Sequence, residues 1–211
     1  MKLYQSVGPN PRVTTMFVAE KGVTIERVFL DIMAGENRQN DFLAKNPRGG
    51  SPCLELDDGS FLDESLAICE YLEERHPSPT LIGSNAEERA QARAALRWVD
   101  QQIVVPMTNG FRSAEGLPMF QPRMLCIPDA SDGNKAYARD GLTKVDARLA
   151  GQEYLCGDRF TLADILLFCF VEFGAAVGQS IPDGCENLNN WHARVAARPS
   201  AVKSADPKNG V

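Results

Sequence analysis

The pattern of apolar residues changes near residue 78, and this change limits the chain to two differently built halves. In the first half, short runs that alternate apolar and polar residues, as strands do, are mixed with helical segments. From about residue 86 onwards, apolar residues recur only at helical spacing. We therefore predict an α/β domain over residues 1–78, a linker over 79–85 and an all-α domain over 86–211.

The first half contains the signals of a βαβ unit, a hairpin and a helix, in that order. "KLYQSV" and "TIERVFLDI" are strand candidates, and the helix "PRVTTMFVAEKG" between them has Pro11 near its first turn and Gly22 at its end. The turn signal "DDG" joins the short strands "CLEL" and "SFL". The amphipathic segment "ESLAICEYLEERHP" then predicts a helix that Pro77 ends.

The second half contains four helical segments. "AEERAQARAALRWVDQQIVVP" and "NKAYARDGLTKVDARLAG" have apolar residues at helical spacing, and a last helix is predicted near "LNNWHARVAARPS". "TLADILLFCFVEFGAAVG" is apolar on nearly every side, so we expect it at the buried centre of this half. Thr161 and Asp164 have the spacing of a capping box at its start.

Composition excludes several classes of partner. The chain has 211 residues, of which 44% are hydrophobic, and a net charge of -6, which argues against a nucleic-acid or anionic-membrane partner. No secretory signal is visible, and the longest apolar run, "ILLFCF", is too short to span a membrane. Six widely spaced cysteines with only two histidines predict reduced cytoplasmic thiols and no metal site.

One long stretch, "FLAKNPRGGSPCLELDDGSFLDESLAICEYLEERHP", resembles the glutathione-binding region of cytosolic glutathione transferases. The arrangement is Asn-Pro, a gap, a strand-opening Pro, a DDG hairpin and a Glu-Ser that starts a helix. With "AEKG" and "GDRFTLADI", the resemblance covers nearly the whole chain. It implies a thioredoxin-like N-terminal domain, an all-α C-terminal domain, glutathione as co-substrate, a cytoplasmic location and a homodimer.

The resemblance assigns the main glutathione contacts. It implies a cis Ser51–Pro52 bond, which would leave the Ser51 backbone able to pair with an extended peptide like an added strand. Glu64 and Ser65 start a helix, whose N-terminus attracts carboxylates, so Ser65 can bind the γ-glutamyl carboxylate while Glu64 faces the ammonium. The alternatives are an ordinary strand-opening proline and simple helix capping.

The glycine carboxylate of glutathione needs a donor or a cation. Asn37 and Arg38 are the preferred candidates, with Lys45 as a further one, because the His that related enzymes often have near this position is missing. Each of these residues could equally be a solvated surface residue.

The loop "SVGPNP" has no Tyr or Cys to contact the glutathione sulfur, and the family's usual Ser position falls on Gly8. It is more similar to a fungal and bacterial subgroup with a G-P-x-P loop, where a water held by the C-terminal domain is thought to help. The His of that subgroup is absent here, and Thr108, Arg112 and Ser113 are what remain.

Because Pro9 and Pro11 have no N–H, the start of the first helix offers few backbone donors to a thiolate. We expect the helix N-terminus, with the amide and side chain of Asn10, to stabilise it. Ser6 is the rival, and a plain N-cap is the alternative role of Asn10.

The predicted activity is conjugation of glutathione to a small hydrophobic electrophile. For the electrophile we expect contacts from Val7, Pro9, Met107, Phe111, Arg112 and Met119, most of which could equally be core residues. A glutathione-dependent peroxidase or disulfide reductase is a second candidate, although the first loop has no Cys. A non-catalytic glutathione- or ligand-binding protein of the same fold is a third.

Overall fold

The computed structural model describes residues 1–209, which form two compact units. The first unit begins at Met1, ends at Ile82 and also includes the segment from Ala197 onwards, and the second is Gly83–Ala196. The sequence-based division assigned that last segment to the all-α half. The structure differs there because helix α10 (Pro199–Ala205) packs against helix α1 (Pro9–Lys21).

The first unit is built on a mixed sheet of four strands, β1 (Lys2–Gln5), β2 (Glu26–Phe29), β3 (Cys53–Glu55) and β4 (Phe61–Asp63). Their order in the sheet is β2-β1-β3-β4. β1 pairs with β2 in parallel and with β3 antiparallel, and β3 pairs with β4 antiparallel across the predicted hairpin. This sheet with its helices confirms the predicted α/β first domain.

Three helices complete the first 82 residues. α1 ends at Gly22, which has the left-handed φ of 64° that glycine adopts without penalty. α3 (Ser65–Arg75) packs against α1 and covers the hairpin end of the sheet. The segment after β2 contains a 3₁₀ turn (Glu36–Arg38) and the short α2 (Asn40–Leu43), neither of which the sequence pattern predicted.

The second unit is helical throughout, as predicted. α8 is its most apolar helix, and every residue from Leu162 to Val171 is buried. The predicted capping box is present: Thr161 and Asp164 exchange hydrogen bonds at the helix start. The helices are α4 (Ala86–Val99), α5 (Val105–Arg112), α6 (Leu117–Phe120), α7 (Ser131–Arg148), α8 (Leu162–Ala176) and α9 (Glu186–Ala196).

The long helix predicted to end near Pro106 instead continues to Arg112. A π-helical turn, Asp100–Val104, lies between α4 and α5. Pro106 follows this turn, in the second position of α5. Because a proline has no N–H to donate, the change of hydrogen-bond pattern here lets the helix pass it.

No helix among residues 1–209 is long and apolar enough to cross a membrane. Each of the six cysteines is present as a thiol.

An ion pair links α1 to the residue that precedes α10. Arg198 donates to Glu20 from Nε and Nη2, both at 2.8 Å, and the Ser200 hydroxyl donates to the same carboxylate. Burial opposes the charge, but the hydrogen bonds from Arg198 and Ser200 lower the pKa of Glu20. Ionised Glu20 therefore stabilises the folded form above the unfolded-state pKa of about 4.3, and this contribution is lost as the pH falls through the native pKa.

We expect Glu20→Gln to lower the free energy of unfolding by about 1–3 kcal/mol at neutral pH. The difference from wild type should shrink at about pH 3.5, because Glu20 in the unfolded wild-type chain is then largely protonated, which favours unfolding. Urea denaturation at both pH values checks this, with the exposed Glu26→Gln as control. A difference that is the same at both pH values would contradict the assignment.

Candidate functional site

The start of α1 leaves one backbone donor unused. Gly8 precedes the helix with a φ of 124°, a conformation that residues with a Cβ rarely adopt. Pro9 and Pro11 have no N–H, and the Arg12 N–H donates to the Gly8 carbonyl at 3.3 Å. The Asn10 N–H has no acceptor among residues 1–209, so it is the donor that this turn can offer to a ligand.

Asn10 lies beside Ser65, although 55 residues separate them in sequence. The Ser65 hydroxyl donates to Asn10 Oδ1 at 3.3 Å, and Ser65 is only 5% exposed. Packing of α1 against α3 brings the two helix starts together. The predicted thiol-supporting residue and the predicted γ-glutamyl contact are therefore neighbours.

Ser51 and Pro52 lie just before β3 and are joined by a cis peptide bond. Within residues 1–209, no backbone hydrogen bond involves Ser51, although β3 itself is paired on both sides. The Ser51 N–H and C=O can therefore pair with an added extended peptide.

Glu64 precedes α3 with a φ of 68°, and it is the only non-glycine residue with positive φ among residues 1–209. Such conformations cost about 1–3 kcal/mol and are concentrated at functional sites. Its carboxylate Oε1 accepts a hydrogen bond from Arg48 Nη2 at 2.6 Å. The Arg48 guanidinium also binds Asp63 Oδ2, at 3.0 and 2.7 Å.

Arg48 was missed by the sequence analysis. Its hydrogen bonds to Asp63 and Glu64 raise the pKa of this guanidinium, so it is a permanent cation beside the Glu64 carboxylate. The adjacent acidic residues at 63 and 64 could have suggested a basic partner, but not which one, because the partner is 15 residues away in a loop.

Asn37 and Arg38 hold the loop that precedes Ser51. Asn37 is buried and donates from Nδ2 to the Gly49 carbonyl at 2.7 Å, while Arg38 donates to the Arg48 carbonyl at 3.0 Å. A Cβ on Gly49 would lie 2.7 Å from the Asn37 carbonyl oxygen, so the approach is close. The Asn37 amide therefore supports this loop from one of its two N–H groups, and its role as a contact for the glycine carboxylate stays a prediction. Exposed Arg38 stays a prediction as the carboxylate contact.

Ser6, the rival donor to the thiolate, is buried and donates its hydroxyl to the adjacent Val7 carbonyl at 3.1 Å. Val7 is 42% exposed, and Pro9 is half-buried. Within the first unit, Val7 is therefore the most accessible of the expected electrophile contacts.

In the second unit, Phe111 lies in an aromatic cluster. Its ring makes edge contacts with Phe173 and Phe120, at centroid distances of 5.1 and 6.0 Å. Arg112 lies over the Phe120 ring at 5.3 Å, and burial lowers the pKa of its guanidinium. Met119, on α6, is partly exposed.

Met107 is fully buried, and a Cβ on Gly174 would lie 2.8 Å from its terminal methyl carbon. The structure therefore places it in the core of the second unit, which corrects its assignment to the electrophile site. Thr108 and Ser113 both form hydrogen bonds with backbone groups of the second unit. The Thr108 hydroxyl donates to the Val104 carbonyl, and Ser113 Oγ accepts from the Ile127 N–H at 3.2 Å.

Similarity to known proteins indicates the family of this chain. The family model of the glutathione S-transferase N-terminal domain matches residues 1–74, and that of the C-terminal domain matches residues 132–199. The chain is 31% identical over 200 residues to glutathione S-transferase 2 of Saccharomyces cerevisiae, covering 93% of this chain and 85% of that protein.

Two further relatives broaden the comparison. A maleylacetoacetate isomerase of Pseudomonas aeruginosa is 30% identical over 198 residues, covering 91% of this chain and 88% of the isomerase. The crystal structure of a glutathione S-transferase domain-containing protein from Marinobacter aquaeolei VT8 has a TM-score of 0.89 and 36% identity, covering 95% of this chain and 99% of that chain. With both family models matched and the fold shared, this chain belongs to the glutathione S-transferase family.

Proposed function

We propose that this protein conjugates glutathione to small hydrophobic electrophiles. The observation that carries the proposal is the contact between Asn10 and Ser65, at 3.3 Å, in a chain of this family. This contact joins the start of α1, which would support the thiol, to the start of α3, which would bind the γ-glutamyl end of glutathione. A reactive sulfur and its recognition groups then belong to one site within the first unit.

Four groups would hold glutathione. The Ser51 N–H and C=O pair with the cysteinyl backbone as an added strand does. The N-terminus of α3 binds the γ-glutamyl carboxylate, since its first-turn N–H groups and partial positive charge favour an anion. Glu64, held by Arg48, faces the ammonium, and Arg38 is proposed for the glycine carboxylate.

Activation of the thiol needs only modest stabilisation. A thiol with a pKa of about 8.5 is about 3% ionised at pH 7, and lowering that pKa by about 2 units corresponds to about 2.7 kcal/mol. One or two hydrogen bonds to a charged group supply about 1.5–3 kcal/mol each. The backbone N–H and the side-chain amide of Asn10, at the start of α1, offer enough donors for these one or two hydrogen bonds.

For the electrophile, the first unit offers exposed Val7, with half-buried Pro9 beside it in the chain. The proposed roles of Phe111, Arg112 and Met119, in the second unit, stay predictions.

Disulfide reduction is the weaker alternative. Cys53, the cysteine nearest to Pro52 in sequence, is fully buried, and burial together with nearby carboxylates raises its pKa to about 11. The attacking species in such chemistry is a thiolate, so Cys53 is a poor nucleophile.

A glutathione-dependent isomerase is a further candidate function. One observation favours it, the similarity to the Pseudomonas aeruginosa maleylacetoacetate isomerase.

We expect Asn10→Ala to raise the thiol pKa of bound glutathione. The wild-type value should lie about 2 units below that of the free thiol, and the variant should recover about 1 unit of that shift. Ultraviolet titration of the thiolate measures both values. Ser6→Ala is the control and should change little, because its hydroxyl donates to Val7.

The same titration distinguishes a conjugating enzyme from a non-catalytic glutathione-binding protein. Tight glutathione binding with an unshifted thiol pKa in wild type would contradict conjugation and favour a non-catalytic binding role. Turnover with a chlorinated nitroaromatic electrophile, lost in parallel with the pKa shift, would support conjugation.

We also propose a cytoplasmic homodimer. Val105 and Tyr137 are large side chains on α5 and α7 that remain about half exposed, which favours their burial against a second copy. The mass in solution, from light scattering after gel filtration, tests this directly.

A further inference from the structure

We propose that the preferred electrophile is an aromatic compound that carries a carboxylate, and that Arg112 binds this carboxylate. The inference rests on the conjugating function proposed above and names the substrate class of that reaction. It is supported by a partly exposed aromatic cluster in the second unit, which holds a guanidinium that no acidic side chain among residues 1–209 neutralises.

Three partly exposed rings form the cluster. Phe111, on α5, makes edge contacts with Phe120 on α6 and Phe173 on α8, at centroid distances of 6.0 and 5.1 Å. Gly116 allows the first of these contacts, since a Cβ there would lie 2.8 Å from the Phe111 ring and 3.1 Å from the Phe120 ring. Because all three rings keep part of their surface exposed, a further aromatic ring can pack against them.

The segment after α6 adds apolar side chains near these rings. The Met124 N–H donates to the Phe120 carbonyl at 3.0 Å, and the Ile127 N–H donates to Ser113 Oγ, next to Arg112, at 3.2 Å. The side chains of Met124 and Ile127 are 41% and 54% exposed. Large apolar side chains that cluster in contact with water favour an apolar ligand.

Arg112 adds a positive charge to this cluster. Its partly buried guanidinium lies over the Phe120 ring, 5.3 Å from the centroid. Among residues 1–209 the guanidinium forms neither an ion pair nor a hydrogen bond, since Glu115, three residues further on, pairs with Lys135 at 2.5 Å. Burial lowers the pKa of this guanidinium more than the Cys126 thiol raises it.

A partly buried cation without an acidic partner loses hydration that a bound anion can replace. A carboxylate fits best, because it is planar and can accept two parallel hydrogen bonds from a guanidinium. The contact with Phe120 restricts the guanidinium, so less side-chain freedom is lost on binding. An aromatic carboxylate therefore matches both the rings and the charge.

The matched test substrates are 4-chloro-3-nitrobenzoate and its uncharged methyl ester. In each, the glutathione thiolate forms a C–S bond at the ring carbon that bears chlorine. The C–Cl bond breaks and chloride leaves with the bonding electron pair, while the thiol proton goes to solvent. The value of kcat/KM is measured for wild type, Arg112→Met, Arg112→Lys and the control Arg97→Met, at an exposed arginine that pairs with Asp100.

We expect Arg112→Met to lower kcat/KM about ten- to hundredfold for the acid and less than about threefold for the ester. Arg112→Lys should recover only part of the loss, because an ammonium cannot bind both carboxylate oxygens side by side. Arg97→Met should leave both values unchanged. The Ki of 3-nitrobenzoate, an anion without a leaving group, against turnover of the ester should rise in parallel in Arg112→Met.

Three results would overturn the assignment while conjugation stands. They are equal losses for acid and ester in Arg112→Met, turnover of the ester alone by wild type, and an equally large effect of Arg97→Met on the acid. Absence of turnover with both substrates in wild type would overturn conjugation together with this assignment.

Discussion

Replacing Glu73 with alanine is expected to lower the free energy of unfolding by about 3–5 kcal/mol. Glu73, on α3, and Lys21, at the end of α1, form an ion pair whose side chains are 8% and 1% exposed. Removing one partner leaves the other as an uncompensated buried charge. The Glu73 carboxylate also accepts hydrogen bonds from three consecutive residues at the end of the N-terminal segment of this unit, Thr80, Leu81 and Ile82.

The neighbouring Glu74 supplies the matched control. It is exposed on the same helix, so Glu74→Ala should change stability by less than about 0.5 kcal/mol. Urea denaturation followed by circular dichroism measures both variants. Equal effects at positions 73 and 74 would show that the ion pair does not stabilise the first unit.

A double variant separates the charge from the hydrogen bonds. Lys21→Met combined with Glu73→Leu removes both charges, so it should cost less than either single change. It should not reach wild-type stability, because the N–H groups of Leu81 and Ile82 lose their acceptor.

The fold followed from the sequence wherever local signals were strong. The DDG hairpin, Gly22 at the end of α1 and the Thr161–Asp164 capping box are each determined by residues within a few positions of one another. The return of α10 to α1 was not predictable in this way. It brings Arg198 to Glu20, 178 residues away in sequence, and periodicity carries no information about such pairs.

The candidate site shows the same difference between residues with local sequence signals and residues whose role depends on long-range contacts. Ser51, Glu64 and Ser65 could be put forward as candidates because they belong to one contiguous motif. The role of Asn37 could not be decided from the sequence, since a buried amide that binds the Gly49 carbonyl and a ligand-binding amide have the same local sequence signals. Arg48 was missed for the reverse reason, because its role depends on carboxylates that the fold brings to it.

Asp164 is the position at which we expect the largest loss in the second unit, about 3–5 kcal/mol for Asp164→Ala. Its carboxylate is fully buried and accepts from the Thr161 N–H and hydroxyl at 2.9 Å, and from the Leu155 N–H and the Trp191 indole at 3.0 Å. Alanine would leave all four donors buried without an acceptor.

Asp164→Asn is the more informative change, because it keeps the size of the side chain but turns one acceptor oxygen into a donor. Since all four of these hydrogen-bonding neighbours donate to the carboxylate, the new NH₂ would face another donor, and we expect little rescue relative to alanine. Urea unfolding followed by tryptophan fluorescence suits this test, since Trp191 binds Asp164 directly.

The control is Asp158→Ala, at an exposed position, for which we expect a change in the free energy of unfolding below about 0.5 kcal/mol. Near-wild-type stability of Asp164→Asn would mean that this cluster tolerates a donor, and that burial of the side chain matters more than its acceptor oxygens.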